Sequence, residues 1–99
     1  MRLSAEYVAA IKQAAREAFG ADAVVRLFGS RTDDSARGGD IDLLIEVSPG
    51  AIGIVRESRF LSTLFERIDE QKVDLVLVER GKPLPPFAAL VHPKSVVLQ

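Results

Sequence analysis

Three aspartates in this chain have the spacing that metal-assisted transfer of a phosphate-linked group requires. Asp40 and Asp42 form an Asp-x-Asp pair at the start of an apolar run that continues to Val47. Asp74 sits inside a later apolar run, Lys72-Val73-Asp74-Leu75-Val76-Leu77-Val78. A Gly-Ser turn, Gly29-Ser30, follows a first run, Val24-Val25-Arg26-Leu27-Phe28, and precedes Asp40 by ten residues. Read as strands, these runs have a side-chain period of two, which puts Asp40 and Asp42 on one face and Ile41, Leu43 and Ile45 on the other. Mg²⁺ prefers oxygen ligands and keeps several waters, so a few carboxylates suffice to hold it. Two such ions about 3.5–4 Å apart stabilise both the attacking and the leaving oxygen of an in-line displacement. Asp40 and Asp42 would reach across both ions, and Asp74 would complete the one that activates the attacking hydroxyl. A carboxylate in an apolar strand is costly unless it is paired or metal-bound, and Asp74 is such a carboxylate.

The other half of the constellation is a phosphate cradle. Glycine lets the backbone approach a phosphate closely, and free amides at a turn or helix start bind anions. Gly29 and Ser30 fit that role, with the Ser30 hydroxyl as a further donor. Arg31 could counter phosphate charge, and Arg37 is a weaker candidate in the same loop. Each piece alone has a plainer reading. Asp-x-Asp pairs are common at solvated strand ends, Gly-Ser is an ordinary turn, and Asp74 could pair with Lys72 or an arginine. The ordered set of strand, Gly-Ser, loop, Asp-x-Asp strand, helix and Asp strand is far more specific than its parts. It points to nucleotidyl transfer. His92 reads as a surface residue, Glu46 as structural, the Phe60/Phe65 stripe as core, and Asp33 and Asp34 as loop solvation.

The elements that must position these groups follow from local pattern. Ser4 is placed to cap a helix running to about Phe19, with Gly20 just past its end. Val8, Ile11, Ala15 and Ala18 give that helix a buried stripe. Strands are expected at 24–28, 40–47 and 73–79, with a polar loop at 31–39 that begins in one helical turn. A second helix fits roughly 54–70 on Phe60, Leu61, Leu64, Phe65 and Ile68. A helical turn near Phe87–Leu90 and a short strand over Ser95–Leu98 complete the chain. The fold class is α/β (α+β): a small mixed β-sheet with helices packed on one face.

At 99 residues the chain has the size of one domain, taken as 1–99. A catalytic unit this small has no lobe for a large acceptor, which must then be held by something else. Thirteen Lys and Arg against 14 Asp and Glu leave a net charge of −1, unlike a protein that binds nucleic acid through phosphate neutralisation, so no direct nucleic-acid binding is expected. No cysteine is present, which excludes disulfides and thiolate metal sites. No apolar run approaches the ~20 residues of a membrane helix, and a cytoplasmic protein is expected.

Leu27-Phe28-Gly29-Ser30-Arg31, then Gly39-Asp40-Ile41-Asp42-Leu43-Leu44, with Val73-Asp74-Leu75-Val76 downstream, resembles the DNA polymerase β-type nucleotidyltransferase superfamily. More closely, the chain is similar to the minimal nucleotidyltransferases of prokaryotes. The resemblance runs from the helix before Val24 to the strand of Asp74. It implies a polymerase β-like fold, Mg²⁺ (two ions) held by residues at the positions of Asp40, Asp42 and Asp74, and ATP contacted by the turn Gly29, Ser30, Arg31. The loop between Ser30 and Asp40 is one residue shorter than in many relatives. The resemblance further implies a partner, a HEPN-domain RNase toxin. The antitoxins of this family neutralise such a toxin by transferring AMP from ATP to one of its tyrosines. Two alternatives stay open: transfer to a small hydroxylated molecule, and an antitoxin that acts by binding alone.

Overall fold

The structure, a computed structural model, describes residues 3–32 and 39–98. Helix α1 spans Ala5–Phe19, and its start is set by the Ser4 hydroxyl, which accepts a hydrogen bond from the Tyr7 amide at 3.1 Å. At the other end Gly20, with φ of 107°, donates its amide to the Arg16 carbonyl. Strand β1 is Val24–Phe28, followed by a 3₁₀ turn at Gly29–Thr32. Strand β2 is Ile41–Val47, α2 is Ile54–Leu64, β3 is Val73–Glu79, α3 is Pro86–Val91, and β4 is Val96–Val97.

The sheet order is β3-β2-β1-β4. Strand β1 runs antiparallel to both β2 and β4, whereas β2 and β3 are parallel. Parallel neighbours need a crossover of a dozen or more residues, and α2 lies within it. Leu27, Ile41, Leu43, Ile45 and Val47 turn to one face and are fully buried against Ile11, Phe60 and Leu64 of α1 and α2. The Phe19 and Phe60 rings meet there with centroids 5.9 Å apart. Phe28, Leu44 and Val78 turn to the opposite face, under Ala88 of α3. Coverage on both sides explains why Leu44 stands buried between Asp42 and Glu46 on the second face of β2.

The expected small mixed sheet is present, with its two long helices on one face; the short α3 packs on the other. The second helix ends earlier than its apolar pattern suggests. After Leu64 the chain tightens into turns, and the Ile68 amide bonds back to the Leu64 carbonyl at 3.1 Å. Ile68 still enters the core, 8% exposed, which is why its spacing reads as helical. Among the described residues, no helix is long and apolar enough to cross a membrane.

Candidate active site

The face of the sheet opposite α1 and α2 carries the acidic groups. Asp42 lies directly across from Asp74 in the parallel register of β2 and β3, and across from Phe28 in the antiparallel register of β1 and β2. Asp40 precedes β2 by one residue. The Ile41 amide donates to the Lys72 carbonyl at 3.2 Å, which brings the approaches to the two strands together. The three aspartates read from the sequence are thus gathered at one end of the β2–β3 pair, although Asp74 lies far from the other two along the chain.

Gly29 shapes the inner wall. Its φ of 79° falls in the left-handed region that glycine enters without penalty. A Cβ at this position would land on the Asp42 Oδ2 and stand 3.1 Å from its Cγ. The Gly-Ser turn and the Asp-x-Asp strand are therefore in contact, and only a residue without a side chain allows that approach. Thr32 closes the turn by donating its hydroxyl to the Gly29 carbonyl at 2.7 Å. Arg31 donates from Nη2 to the Gly39 carbonyl at 3.0 Å, joining the turn to the residue before Asp40. Ser30 belongs to this turn, but its side chain, together with Asp33, Asp34 and Arg37, lies outside the described residues.

The electrostatics of the cluster are those of crowded carboxylates. Burial pushes the Asp42 carboxyl above the usual aspartate range. A hydrogen bond with the Asp74 carboxyl and the charges of Asp74 and Asp40 push in the same direction, and only Lys72 opposes them. The Lys72 ammonium stands 3.5 Å from Asp40 Oδ2 and 3.9 Å from Asp74 Oδ2. In this arrangement no three acidic or histidine side chains among the described residues encircle a point where an ion would sit. The donor set itself fits a hard divalent cation: it is all-oxygen, with three carboxylates gathered at one end of the β2–β3 pair.

In the sequence Lys72 is only a possible partner for Asp74. The same period of two that pairs them was visible, but its proximity to Asp40 was not. His92 departs from expectation. Its ring is only partly exposed and places Nε2 3.1 Å from Glu46 Oε1, which also accepts from Arg26 Nε at 2.9 Å. Burial alone would raise the Glu46 carboxyl, but the hydrogen bonds and charges of Arg26 and His92 hold it below its ordinary value. This trio ties the segment after α3 to the sheet and keeps Glu46 structural. A cleft of about 450 Å³ opens elsewhere, between α1, β1 and β4, and no aspartate lines it. The acidic face is assigned by its donor groups and their register.

A family model described as a nucleotidyltransferase domain matches residues 8–95, nearly the whole chain. The chain belongs to the nucleotidyltransferase domain family. No match was found among curated proteins. Members of this family transfer nucleotidyl groups and generally use a nucleoside triphosphate with a divalent metal. The small mixed sheet with its three helices agrees with that fold.

Proposed function

We propose that this nucleotidyltransferase is a Mg²⁺-dependent protein adenylyltransferase of the minimal type. It would act in the cytoplasm as an antitoxin, transferring AMP from ATP to a tyrosine hydroxyl of a HEPN-domain RNase toxin. The observation that carries the transfer chemistry is the Asp42–Asp74 register pair, with Asp40 on the same face and Gly29 against it. The protein acceptor and the antitoxin role rest on the resemblance of the Gly-Ser, Asp-x-Asp and Val-Asp-Leu-Val motifs to those of minimal nucleotidyltransferases.

In this reading Asp40 and Asp42, from the mouth of β2, and Asp74, from β3, would hold two Mg²⁺ ions. When bound, divalent cations supply Lewis-acid stabilisation of the charge that develops on the phosphate oxygens. The turn formed by Gly29, Ser30 and Arg31 receives the triphosphate, the glycine giving the phosphates access to backbone. The acceptor oxygen forms a bond to the α-phosphorus as the bond to the bridging oxygen breaks. Pyrophosphate leaves, and the hydroxyl proton passes into the acidic cluster. Strands β2 and β3 are packed on both faces, so the carboxylates start from fixed backbone positions, and transfer gains from positioning as well as charge.

The test is transfer from ATP labelled at the α-phosphate, with Mg²⁺ and a lysate of the source organism, run beside the Asp40→Asn/Asp42→Asn variant. A discrete labelled protein band that is absent with the variant is the expected result. Label only in a small molecule would replace the protein acceptor with a small hydroxylated one. No label from the folded protein in the presence of the HEPN partner would leave an antitoxin that works by binding alone.

A further inference from the structure

The geometry points to Lys72 as an internal counter-ion that occupies the carboxylate cluster until a divalent cation displaces it. This rests on the proposed reading of the three aspartates as cation ligands. Lys72 precedes β3 by one residue, two before Asp74, and the Ile41 amide bond to its carbonyl brings its backbone beside the entrance of β2. From there its ammonium reaches a carboxylate oxygen on each approach, Asp40 Oδ2 at 3.5 Å and Asp74 Oδ2 at 3.9 Å. Asp40 and Asp74 each retain about half of their side-chain exposure, and Lys72 is 67% exposed. The oxygens are thus open to solvent ions, and the ammonium rests over them without being locked in place.

A lysine ammonium is a compact point charge on a flexible four-carbon stem, so it can leave without moving the backbone. It cannot remain between Asp40 and Asp74 while the same oxygens ligate a divalent cation, because the like charges would stand within a few ångströms of each other. Lys72 therefore has two opposite effects. It stabilises the metal-free protein by offsetting the crowded carboxylates, and it weakens the binding of the metal alone.

The experiment compares wild type, Lys72→Met and Lys82→Met. Lys82 is the control for net charge: it pairs with Glu79 at 2.6 Å, at the far end of β3. Binding of Mn²⁺ without nucleotide is followed by the resonance signal of the free ion, and melting is measured in chelator. Loss of one charge adjacent to the site predicts that Lys72→Met binds Mn²⁺ about three- to tenfold tighter than wild type. The same variant should melt lower in chelator and recover with Mn²⁺. Lys82→Met should bind Mn²⁺ within about twofold of wild type, since its charge lies more than a Debye length away at ordinary salt. Binding by wild type that is unchanged or weaker in Lys72→Met, or equally tightened in Lys82→Met, would overturn the counter-ion role and leave the aspartate site standing. No Mn²⁺ binding by wild type or Lys72→Met would overturn both.

Discussion

Replacing Asp42 by Asn should make the metal-free protein more stable while abolishing transfer. Asp42 and Asp74 are directly opposed in a parallel pair, so their backbones lie about 4.8 Å apart and their side chains share a face. Two full charges about 5 Å apart interact by about 3 kcal/mol at an effective dielectric constant of 20. Solvent access and the opposing Lys72 reduce that, and a net gain of about 1 kcal/mol is expected from the substitution. In a domain of this size such a gain raises Tm by about 4–8 °C. The sign follows from the raised Asp42 carboxyl. A group whose pKa is higher in the folded state favours folding fully below its unfolded value, about 4 for aspartate, and that contribution is lost as pH rises through the folded value. The variant should therefore equal wild type near pH 4 and exceed it increasingly toward neutrality. Melting curves in chelator across pH 4–8 read this directly. With saturating Mg²⁺ and ATP at neutral pH the order should reverse, because only wild type gains from ligand linkage. A variant less stable than wild type at neutral pH in chelator, or a difference independent of pH, would refute the charge-crowding argument.

Two further substitutions probe the frame around the site. Gly29→Ala forces a side chain into the left-handed region and onto the Asp42 carboxylate, so it should cost about 1–3 kcal/mol and most of the transfer activity. Combining it with Asp42→Ala should recover part of the lost stability in a melting assay; a fully additive pair would deny the contact. Glu46→Gln should destabilise the protein by about 1 kcal/mol at neutral pH by weakening its bonds to Arg26 and His92. The Glu46 carboxyl is held low, so its contribution is present above about pH 4.3 and lost as pH falls through the folded value. Urea unfolding from pH 7 to pH 3 should show the gap closing, and a gap that widens in acid would contradict the assignment.

Much of the architecture is dictated by the chain locally. Ser4 and Gly20 bound α1 because a hydroxyl and a left-handed backbone are needed at those two ends, and both are residue properties. Strands β1 and β3 occupy the positions expected from their β-branched runs, since alternation is set by the pleat before any partner is chosen. The same alternation puts Asp40 and Asp42 on one face. Other features depended on contacts between distant segments. Only the parallel register of β2 and β3 sets Asp42 against Asp74, and only that pairing delivers Lys72 to Asp40. The need for glycine at position 29 comes from the approach of Asp42, which no local pattern encodes. His92 looked like a surface residue because its partner, Glu46, is in the middle of the chain. The Leu64–Ile68 spacing fits either a continuing helix or a turn that drops Ile68 into the core, and packing chose the turn. Local sterics and side-chain period thus determined which residues face together along each element. The assembly of those faces into one acidic site was decided by strand pairing and core packing, whose free energy exists only once distant segments meet.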